Sequence, residues 1–279
     1  MPPARHSTAY IDPGSDTVRV LQLTDTHLRR VSGGTLLGVD TDRSLQAVID
    51  LARAERWPAD LVLATGDLSD NGSGDAYRRL LGYFDQLCPR SFWLPGNHDE
   101  REAMQAVVQG SEHLCREVRV GTWQILLLDS QVDGEVGGEL GAAERELLDA
   151  RLCDARDAGL FSLVCLHHQP VPVGCAWLDQ QMLADAEAFF AILDRYNGVR
   201  GVLWGHVHQQ VDVERRGVRL LASPSTCVQF APGSASFKAD AAPPCYRWLE
   251  LHADGRIETG VSRVRDIHFD VDLDSPGYL

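Results

Sequence analysis

Five short polar segments carry the residues of this sequence that are best suited to bind metal ions. They are LTDTH at 23–27, TGD at 65–67, PGNHDE at 95–100, LHH at 166–168 and WGHVH at 204–208. Four of them hold six of the ten histidines, so the imidazoles are concentrated where the acidic and amide groups also lie. A set of carboxylate, amide and imidazole groups without a thiolate favours Mn, Fe, Co or Zn over calcium or soft metals. The chemistry that these residues predict is metal-dependent hydrolysis.

Each of these segments directly follows a predicted β-strand. The apolar runs that predict the strands are 18–23, 61–65, 92–94, 162–166 and 199–204, and a further run covers 123–129. Strands that alternate with helical patterns indicate a layered α/β fold. In such folds the loops that leave the carboxyl ends of the strands gather along one edge, so we expect the polar segments to form one site.

Helices and hairpins complete the predicted elements. Apolar stripes with helical spacing lie at 45–52 and 77–87, the second after a cap at Ser73 or Asp75, and further helices are expected near 142–153 and 183–193. Two hairpins are expected, which turn at Arg216–Gly217 and at Asp254–Gly255. The two halves of the pattern predict two packed sheets covered by helices.

The spacing within two segments predicts how their side chains reach the site. Asp25 and His27 are two residues apart, as are His206 and His208. In an extended segment both members of such a pair point to the same side. Glycines at 66, 96 and 205 suit sharp turns close to the site.

The number of ligands predicts a catalytic centre with two ions. If Asp67 bridges them, seven side chains supply four bonds to each ion, and a bridging hydroxide would add a fifth while leaving room for a phosphate oxygen. The seven are Asp25, His27, Asp67, Asn97, His206, His208 and one of His167 and His168.

Each assignment has an ordinary structural alternative. Asp25 and Asp67 could be turn or cap residues, and Asn97 could be a left-handed turn residue after Gly96. Asp99 is interpreted as the N-cap of a helix that begins near Glu100, and it is left out of the site.

Three residues at the end of one predicted strand, at 165, 167 and 168, also have to be assigned to the site or left out of it. His167 and His168 point to opposite sides of an extended segment, so at most one enters the site easily, and the residues alone do not choose between them. Cys165 shares the face of His167 but is interpreted as a buried apolar residue.

Composition narrows the partners and the compartment. A formal charge of -14 disfavours binding to nucleic acids and anionic membranes. Seven cysteines without a C-x-x-C pair are unlike a disulfide or zinc framework. Residues 1–16 lack the apolar core of a signal peptide, and we expect a soluble, cytoplasmic protein.

The ordered set of motifs resembles the calcineurin-like metallophosphoesterase family, and in particular its bacterial class III cyclic-AMP phosphodiesterases. The similarity extends through LLGVDTDRSLQAV, ATGDLSDNGSGDAY, WLPGNHD, ILLLDSQVDG, GCAWLDQ and SPSTCVQFAP. It implies an α/β fold, a four-layer αββα sandwich of two mixed β-sheets flanked by helices. We expect the catalytic domain at 17–262, after an N-terminal extension at 1–16 and before a C-terminal tail at 263–279.

The resemblance also implies a role for each site residue. It puts Asp25, His27, Asp67 and His208 on the first ion and Asp67, Asn97, His167 and His206 on the second, and so selects His167 over His168. His98 would contact the phosphate and protonate the leaving oxygen, while His27, Asp67, Asn97 and His208 would border the bound phosphate. The ions would be two divalent or trivalent transition metals, with Fe and Mn expected before Zn and Co.

The resemblance implies hydrolysis of 3′,5′-cyclic AMP to 5′-AMP by in-line attack of the metal-bridging hydroxide. The alternatives are another phosphoesterase of the same fold, acting on glycerophosphodiesters, nucleotide-lipid pyrophosphates or monoesters, and a non-catalytic scaffold. The expected partner is a small cyclic nucleotide bound by a monomer or homodimer, with no nucleic acid and no membrane. The loop 223–232 is a candidate for base recognition, with ordinary hairpin packing as its alternative.

Overall fold

The structure, a computed structural model, describes residues 7–277, so that residues 1–6 and 278–279 of the two predicted terminal segments lie outside it. The strands, numbered along the chain, are β1 Thr8–Ile11, β2 Thr17–Leu23, β3 Thr35–Leu36, β4 Val39–Asp40, β5 Leu61–Thr65, β6 Ser91–Leu94, β7 Glu117–Val120, β8 Trp123–Leu127, β9 Phe161–Cys165, β10 Val199–Trp204, β11 Val211–Arg215, β12 Val218–Ala222, β13 Gln229–Phe230, β14 Ala239–Asp240, β15 Cys245–His252 and β16 Ile257–Arg263. The helices are α1 Thr41–Arg56, α2 Gly74–Phe84, α3 Arg101–Val107, α4 Gly141–Asp157 and α5 Ala186–Leu193, with a short 3₁₀ turn at Asp179–Gln181.

Two large mixed sheets form the centre of the molecule. The seven-stranded sheet has the order β1-β7-β8-β9-β10-β12-β11, and the five-stranded sheet has the order β16-β15-β2-β5-β6. In the first, β8, β9, β10 and β12 are parallel, and in the second, β2, β5 and β6 are parallel. An antiparallel hairpin forms one edge of each sheet, β11–β12 in the seven-stranded sheet and β15–β16 in the five-stranded sheet. The predicted fold class, including both hairpins, is confirmed.

Alternating side chains divide the core into layers. On β2, Val18 and Val20 pack between the two sheets, whereas Leu21 and Leu23 pack against the helices on the outer face. Helices α1 and α2 cover the five-stranded sheet, and α4 and α5 cover the seven-stranded sheet. This alternation is what the period of two in a strand produces when both faces are buried.

Both terminal segments contact the sheets or their hairpins. Thr8–Ile11 pairs in parallel with Glu117–Val120, so part of the predicted N-terminal extension lies in the seven-stranded sheet. Residues 264–277 contain no helix or strand, but Phe269 and Val271 pack against the cluster that includes Leu36 and Val39. Part of the predicted C-terminal tail, at Phe269 to Asp272, therefore packs on the β3–β4 hairpin.

The cysteines form no covalent links. All seven are free, and six of them are buried. Cys165 lies in the apolar cluster between the sheets, as predicted, and burial raises the pKa of its thiol. Within residues 7–277 no helix has the length and apolar composition that crossing a membrane would need.

Candidate metal centre

Seven side chains from both sheets meet at the edge where the parallel strands end. Asp25, His27, Asp67 and Asn97 follow strands of the five-stranded sheet, namely β2, β5 and β6. His167, His206 and His208 follow β9 and β10 of the seven-stranded sheet. The site therefore straddles the two sheets, and neither sheet alone carries the complete set.

One group of contacts joins four of the predicted ligands. The Nε2 atom of His208 is 3.3 Å from Asp25 Oδ1 and 3.3 Å from the Nε2 atom of His27. The Nε2 atom of His27 is in turn 3.9 Å from Asp67 Oδ2. These are the four residues expected around the first ion.

A second group lies on the other side of Asp67. The Nε2 atom of His167 is 3.2 Å from Asp67 Oδ2 and 3.2 Å from Asn97 Oδ1. The ring of His206 packs edge-on against the ring of His167, with 5.1 Å between the centroids. Asp67 thus contacts imidazoles of both groups, which is the position that a bridging carboxylate requires.

The nitrogen and oxygen atoms that face the site are oriented to bind cations and not to form hydrogen bonds with one another. His208 Nδ1 lies 2.6 Å from the Val228 carbonyl and His167 Nδ1 lies 2.8 Å from the Thr65 carbonyl. A carbonyl only accepts, so each Nδ1 carries the proton and each Nε2, in the neutral ring, turns a lone pair toward the site. Those lone pairs face carboxylate and amide oxygens. The Nε2 atom of His206 is buried and has no hydrogen-bond partner among the described residues.

Burial and nearby charges strongly shift the pKa values of His27, His167 and His206. Burial, aided by the neighbouring His98, lowers the pKa of His27 to about 3, and burial also holds the pKa of His206 well below its usual value. Burial alone would lower the pKa of His167 as well, but the charge of Asp67 outweighs it and raises that pKa to about 9. Without ions, a proton on His167 would therefore balance the negative charge of Asp67. A bound metal ion can take the place of that proton.

Five of the seven side chains are held on a left-handed backbone. The φ angles are 53° at Asp25, 43° at His27, 50° at Asp67, 63° at His206 and 49° at His208. The prediction that the Asp-x-His and His-x-His pairs are extended is therefore wrong, although both members of each pair do reach the site. Non-glycine residues in this region cost about 1–3 kcal/mol each and cluster at functional sites. Asn97 is not among them, so the left-handed turn considered for it is also wrong.

Backbone hydrogen bonds maintain this unusual conformation. The amides of Asp25 and His27 donate to the carbonyls of Gly66 and Asp67, at 3.0 and 2.9 Å. The amide of His206 donates to both carboxylate oxygens of Asp25, at 3.0 and 3.2 Å. The loops after β2, β5 and β10 are thus joined to one another directly at the site.

Glycines allow the close approach of these loops. A Cβ on Gly205 would lie 2.7 Å from Asp25 Oδ2, and a Cβ on Gly96 would lie 2.8 Å from Asp67 Cγ. Gly66 has a φ of 95°, and its Cβ would lie 2.8 Å from the Gly96 amide nitrogen. The predicted reason for the three glycines, close passage of the backbone, is confirmed.

Asp99 supports the site from behind. Its carboxylate accepts hydrogen bonds from the amides of Leu68, Ser69 and Gly96, at 2.9 to 3.1 Å, and from the Tyr77 hydroxyl at 2.8 Å. Burial and the nearby charge of Asp67 raise the pKa of Asp99 to about 6. Helix α3 begins instead after Glu100, so the predicted cap role of Asp99 is wrong.

His168 is bound on the side away from Asp67. Its Nδ1 atom is 2.8 Å from the Ser130 hydroxyl and its Nε2 atom is 3.1 Å from the Val136 carbonyl. Burial and the charge of His167 lower its pKa to about 3. Protein groups engage both ring nitrogens of His168, and only His167 faces Asp67 and Asn97.

The loop 223–232 packs behind the site. Residues 221–230 are all buried, and the Phe230 ring stacks on His208 with 4.1 Å between centroids and 8° between planes. The side-chain amide of Gln229 forms hydrogen bonds with Ser225 and Cys227 of the same loop. The Val228 carbonyl and the Phe230 ring of this loop hold the ring of His208, and base recognition by the loop stays a prediction.

An open groove borders the site beside His98. The backbone amide of His98 donates to Asp67 Oδ1 at 2.9 Å, and its Nδ1 atom is 3.0 Å from the Asp70 carbonyl. The groove has a volume of about 630 Å³ and is lined by His98 with Arg29, Leu37, Asp70 and Asn71. The groove residues Arg29, Asp70 and Asn71 were not predicted from the sequence, although each lies within four residues of a predicted ligand.

Comparisons with known proteins agree on a family. A family model described as calcineurin-like phosphoesterase matches residues 18–210. The 3′,5′-cyclic adenosine monophosphate phosphodiesterase CpdA of Pseudomonas aeruginosa is 47% identical over 99% of this chain and 100% of its own. The protein of the same name from Escherichia coli K12 is 43% identical over 95% of this chain and 96% of its own.

Solved structures with little sequence identity share the fold. A dimetal phosphatase from Danio rerio aligns with a TM-score of 0.61 at 16% identity, over 89% of this chain and 99% of its own. A purple acid phosphatase from yellow lupin aligns with a TM-score of 0.66 at 12% identity, over 91% of this chain and 53% of its own. The fold is therefore shared well beyond the relatives with high sequence identity.

Proposed function

The chain belongs to the calcineurin-like phosphoesterase family, and we propose from that premise that it is a dinuclear-metal phosphodiesterase that hydrolyses 3′,5′-cyclic AMP to 5′-AMP. The observation that carries the proposal is the similarity to cyclic-AMP phosphodiesterases over nearly the whole length of both chains. The fold alone would predict only that the substrate carries a phosphoryl group, because enzymes of one fold cleave unrelated substrates. Similarity that covers nearly the whole chain, and not the ligand motifs alone, supports the narrower substrate.

Two ions would be held by the seven side chains in two sets of four. Asp25, His27, Asp67 and His208 would hold the first, and the contacts of 3.3 to 3.9 Å among their donor atoms support this set. The second set is Asp67, Asn97, His167 and His206. Fe and Mn suit these borderline nitrogen and oxygen donors, and Zn and Co are the alternatives.

Bound ions of this kind activate water at neutral pH and neutralise charge on a phosphoryl group. The chain itself orients the substrate around them. Asn97 and His98 are only half-buried, unlike the other site residues, so they lie where a phosphate would enter. We infer that His27, Asp67, Asn97, His98 and His208 border the bound phosphate.

His98 is placed to assist departure of the ribose 3′ oxygen. The Asp70 carbonyl accepts the proton of His98 Nδ1, which turns Nε2 away from that carbonyl and makes it the atom that can carry a second proton. A proton transferred from Nε2 to the leaving oxygen would avoid release of an alkoxide. The edge-to-face contact with His27, 4.9 Å between centroids, holds the ring against the site.

The nucleoside would lie in the groove beside His98. Arg29 forms an ion pair with Asp70 through the edge of its guanidinium, and 40% of its side chain is exposed. The flat face of the guanidinium therefore remains available to stack on a purine. The β3–β4 hairpin, through Leu37, supplies an apolar wall opposite.

Replacement of Arg29 tests this position for the base. Arg29→Gln should raise the KM for cyclic AMP roughly tenfold, the value of a partly desolvated stacking contact. Hydrolysis of bis(p-nitrophenyl) phosphate, which has no purine, should change much less. Equal losses on both substrates would place the base elsewhere.

The compartment and the other partners are also part of the proposal. We infer a cytoplasmic enzyme, because seven free cysteines suit a reducing environment. The charge of -14 disfavours nucleic acids and anionic membranes as partners, which leaves a small cyclic nucleotide bound by a monomer or homodimer. A fractionation experiment that recovers the enzyme with membranes or outside the cytoplasm would contradict this inference.

Product analysis with a substrate panel tests the function directly. Protein reconstituted with Mn²⁺ should convert cyclic AMP to 5′-AMP and not to 3′-AMP, as separated by chromatography. A glycerophosphodiester, a nucleotide-lipid pyrophosphate and p-nitrophenyl phosphate serve as rival substrates. A kcat/KM for any rival above that for cyclic AMP would reassign the enzyme within its family.

A further inference from the structure

A polar layer separates the apolar core from the metal centre. On β2, Val18 and Val20 pack between the sheets, and the next residue on that face is Gln22. On β5, Leu61 and Leu63 are likewise followed by Thr65. The metal-site loops begin directly after these two strands, so the layer lies immediately beneath the ligands.

Gln22 uses its amide to connect the two sheets. Its Nε2 atom donates to Thr65 Oγ1 at 2.7 Å within the five-stranded sheet and to the Trp204 carbonyl at 3.1 Å in the seven-stranded sheet. Its Oε1 atom accepts a hydrogen bond from the Ser223 hydroxyl, which follows β12. The side chain is completely buried, so these bonds have no competition from solvent.

Arg247 extends the same connection. It pairs with Gln22 across the β2–β15 ladder and is also completely buried. Its Nε atom donates to Ser223 Oγ at 3.0 Å, and its Nη2 atom donates to the Ala222 carbonyl at 2.7 Å. Both acceptors belong to the seven-stranded sheet or the loop that follows it, so a second polar side chain spans the gap between the sheets.

The partners of Gln22 are the immediate neighbours of metal-site residues. The Thr65 carbonyl accepts from His167 Nδ1 at 2.8 Å, which fixes the ring of that ligand. Trp204 precedes Gly205 and His206 in the chain, and the Gly205 amide bonds to the His167 carbonyl at 3.2 Å. Because the seven ligands come from two sheets, the distance between the ligands of one sheet and those of the other depends on how the sheets are joined at this edge.

We propose that Gln22 is a positioning residue that fixes the distance between the metal ligands of the five-stranded sheet and those of the seven-stranded sheet, an inference that rests on the proposed dinuclear site. It acts through Thr65 on His167 and through Trp204 on His206. Loss of its amide would let the sheets shift at the metal edge while the apolar core below still holds them together. The ion proposed to be held by Asp67, Asn97, His167 and His206 would be the more affected, because its two histidines are the ligands on which Gln22 acts through Thr65 and Trp204.

A matched pair of variants tests the proposal. Gln22→Met keeps the length of the side chain and removes its hydrogen bonds. Gln124→Met is the control, because Gln124 is equally buried, donates to Glu117 and to the Arg151 carbonyl, and accepts from Ser162 at the opposite end of the sheet. Both variants would be measured for Tm, for Mn²⁺ binding by calorimetry and for the electron paramagnetic resonance of the Mn²⁺-loaded protein.

The expected result distinguishes a loss of metal-ligand positioning from a general loss of protein stability. Both variants should lower Tm, but only Gln22→Met should weaken binding of one Mn²⁺, by the roughly 10- to 100-fold typical of losing a residue that holds a metal ligand in place. The exchange-coupled Mn²⁺ pair signal should then be lost in Gln22→Met and kept in Gln124→Met. Two tightly bound, coupled ions in Gln22→Met would overturn the proposal.

A milder variant decides the matter if Gln22→Met does not fold. Ser223→Ala removes the partner of Gln22 Oε1 and should weaken the same ion by a smaller factor, whereas unchanged binding of both ions would overturn the proposal. The wild-type protein distinguishes this inference from the proposed function. Two coupled Mn²⁺ ions without cyclic-AMP hydrolysis would refute the substrate and leave the role of Gln22 open to the same comparison.

Discussion

At the residue scale, the site combines ordinary ligand types with an unusual backbone. The types and their order along the chain predicted the candidate residues except for the choice between His167 and His168, and the bridging role of Asp67 stays a prediction. The left-handed conformation at Asp25, His27 and Asp67 was not predictable, because it depends on hydrogen bonds to loops far away in sequence. Both members of the Asp-x-His and His-x-His pairs point into the site as predicted, but the cause is a left-handed backbone and not an extended strand.

Asp67 is the residue on which both proposed ion sites depend. Asp67→Ala should abolish binding of at least one ion and lower kcat/KM by more than the roughly 100-fold expected when only a residue behind a metal ligand is lost. Metal content and kinetics would be measured together on the same sample. Asp212→Ala, which removes an exposed partner of Arg219, is the control and should retain both ions. Full activity in Asp67→Ala would refute the bridge.

His98 should affect turnover without affecting the metals. His98→Ala removes the proposed proton donor, so kcat for cyclic AMP should fall by about 10²- to 10⁴-fold while metal content stays at the wild-type value. The loss should be smaller for bis(p-nitrophenyl) phosphate, whose leaving group needs no proton. Equal losses on the two substrates would assign His98 to phosphate binding alone.

At the element scale, strands and turns could be predicted and their register could not. The apolar runs predicted β2, β5, β6, β8, β9 and β10 within about two residues, and the Asp254–Gly255 turn was placed correctly. Strand β1 was not identified, since four residues at a sheet edge carry too little pattern. The roles of Asp99 and Gln22 required three-dimensional contacts, because each partner lies on another loop or strand.

The glycine turns make a prediction at this scale. Gly205→Ala should weaken metal binding and cost about 1–3 kcal/mol of stability, because its Cβ would lie 2.7 Å from Asp25 Oδ2. Gly82→Ala in α2 has no atom within 4 Å of the added Cβ and should gain roughly 0.5–1 kcal/mol. Thermal unfolding with and without Mn²⁺ measures both changes. A Gly205→Ala protein as stable and as tightly loaded as wild type would contradict the close packing of the two loops.

At the scale of the whole molecule, the active edge exists only where the two sheets meet. The five-stranded sheet contributes the acidic and amide groups with one histidine, and the seven-stranded sheet contributes three histidines. The layered fold was predictable from alternating strands and helices, but the division of ligands between sheets was not, because sheet membership depends on strand order. Binding of ions should therefore stabilise the association of the sheets as well as the loops.

The most direct test is anomalous X-ray diffraction from crystals of active, Mn²⁺-loaded protein at the manganese edge. The account predicts two peaks that share Asp67, one bound by Asp25, His27 and His208 and the other by Asn97, His167 and His206. A single peak, two peaks without a shared Asp67, or an active crystal with no peak between the sheets would contradict it.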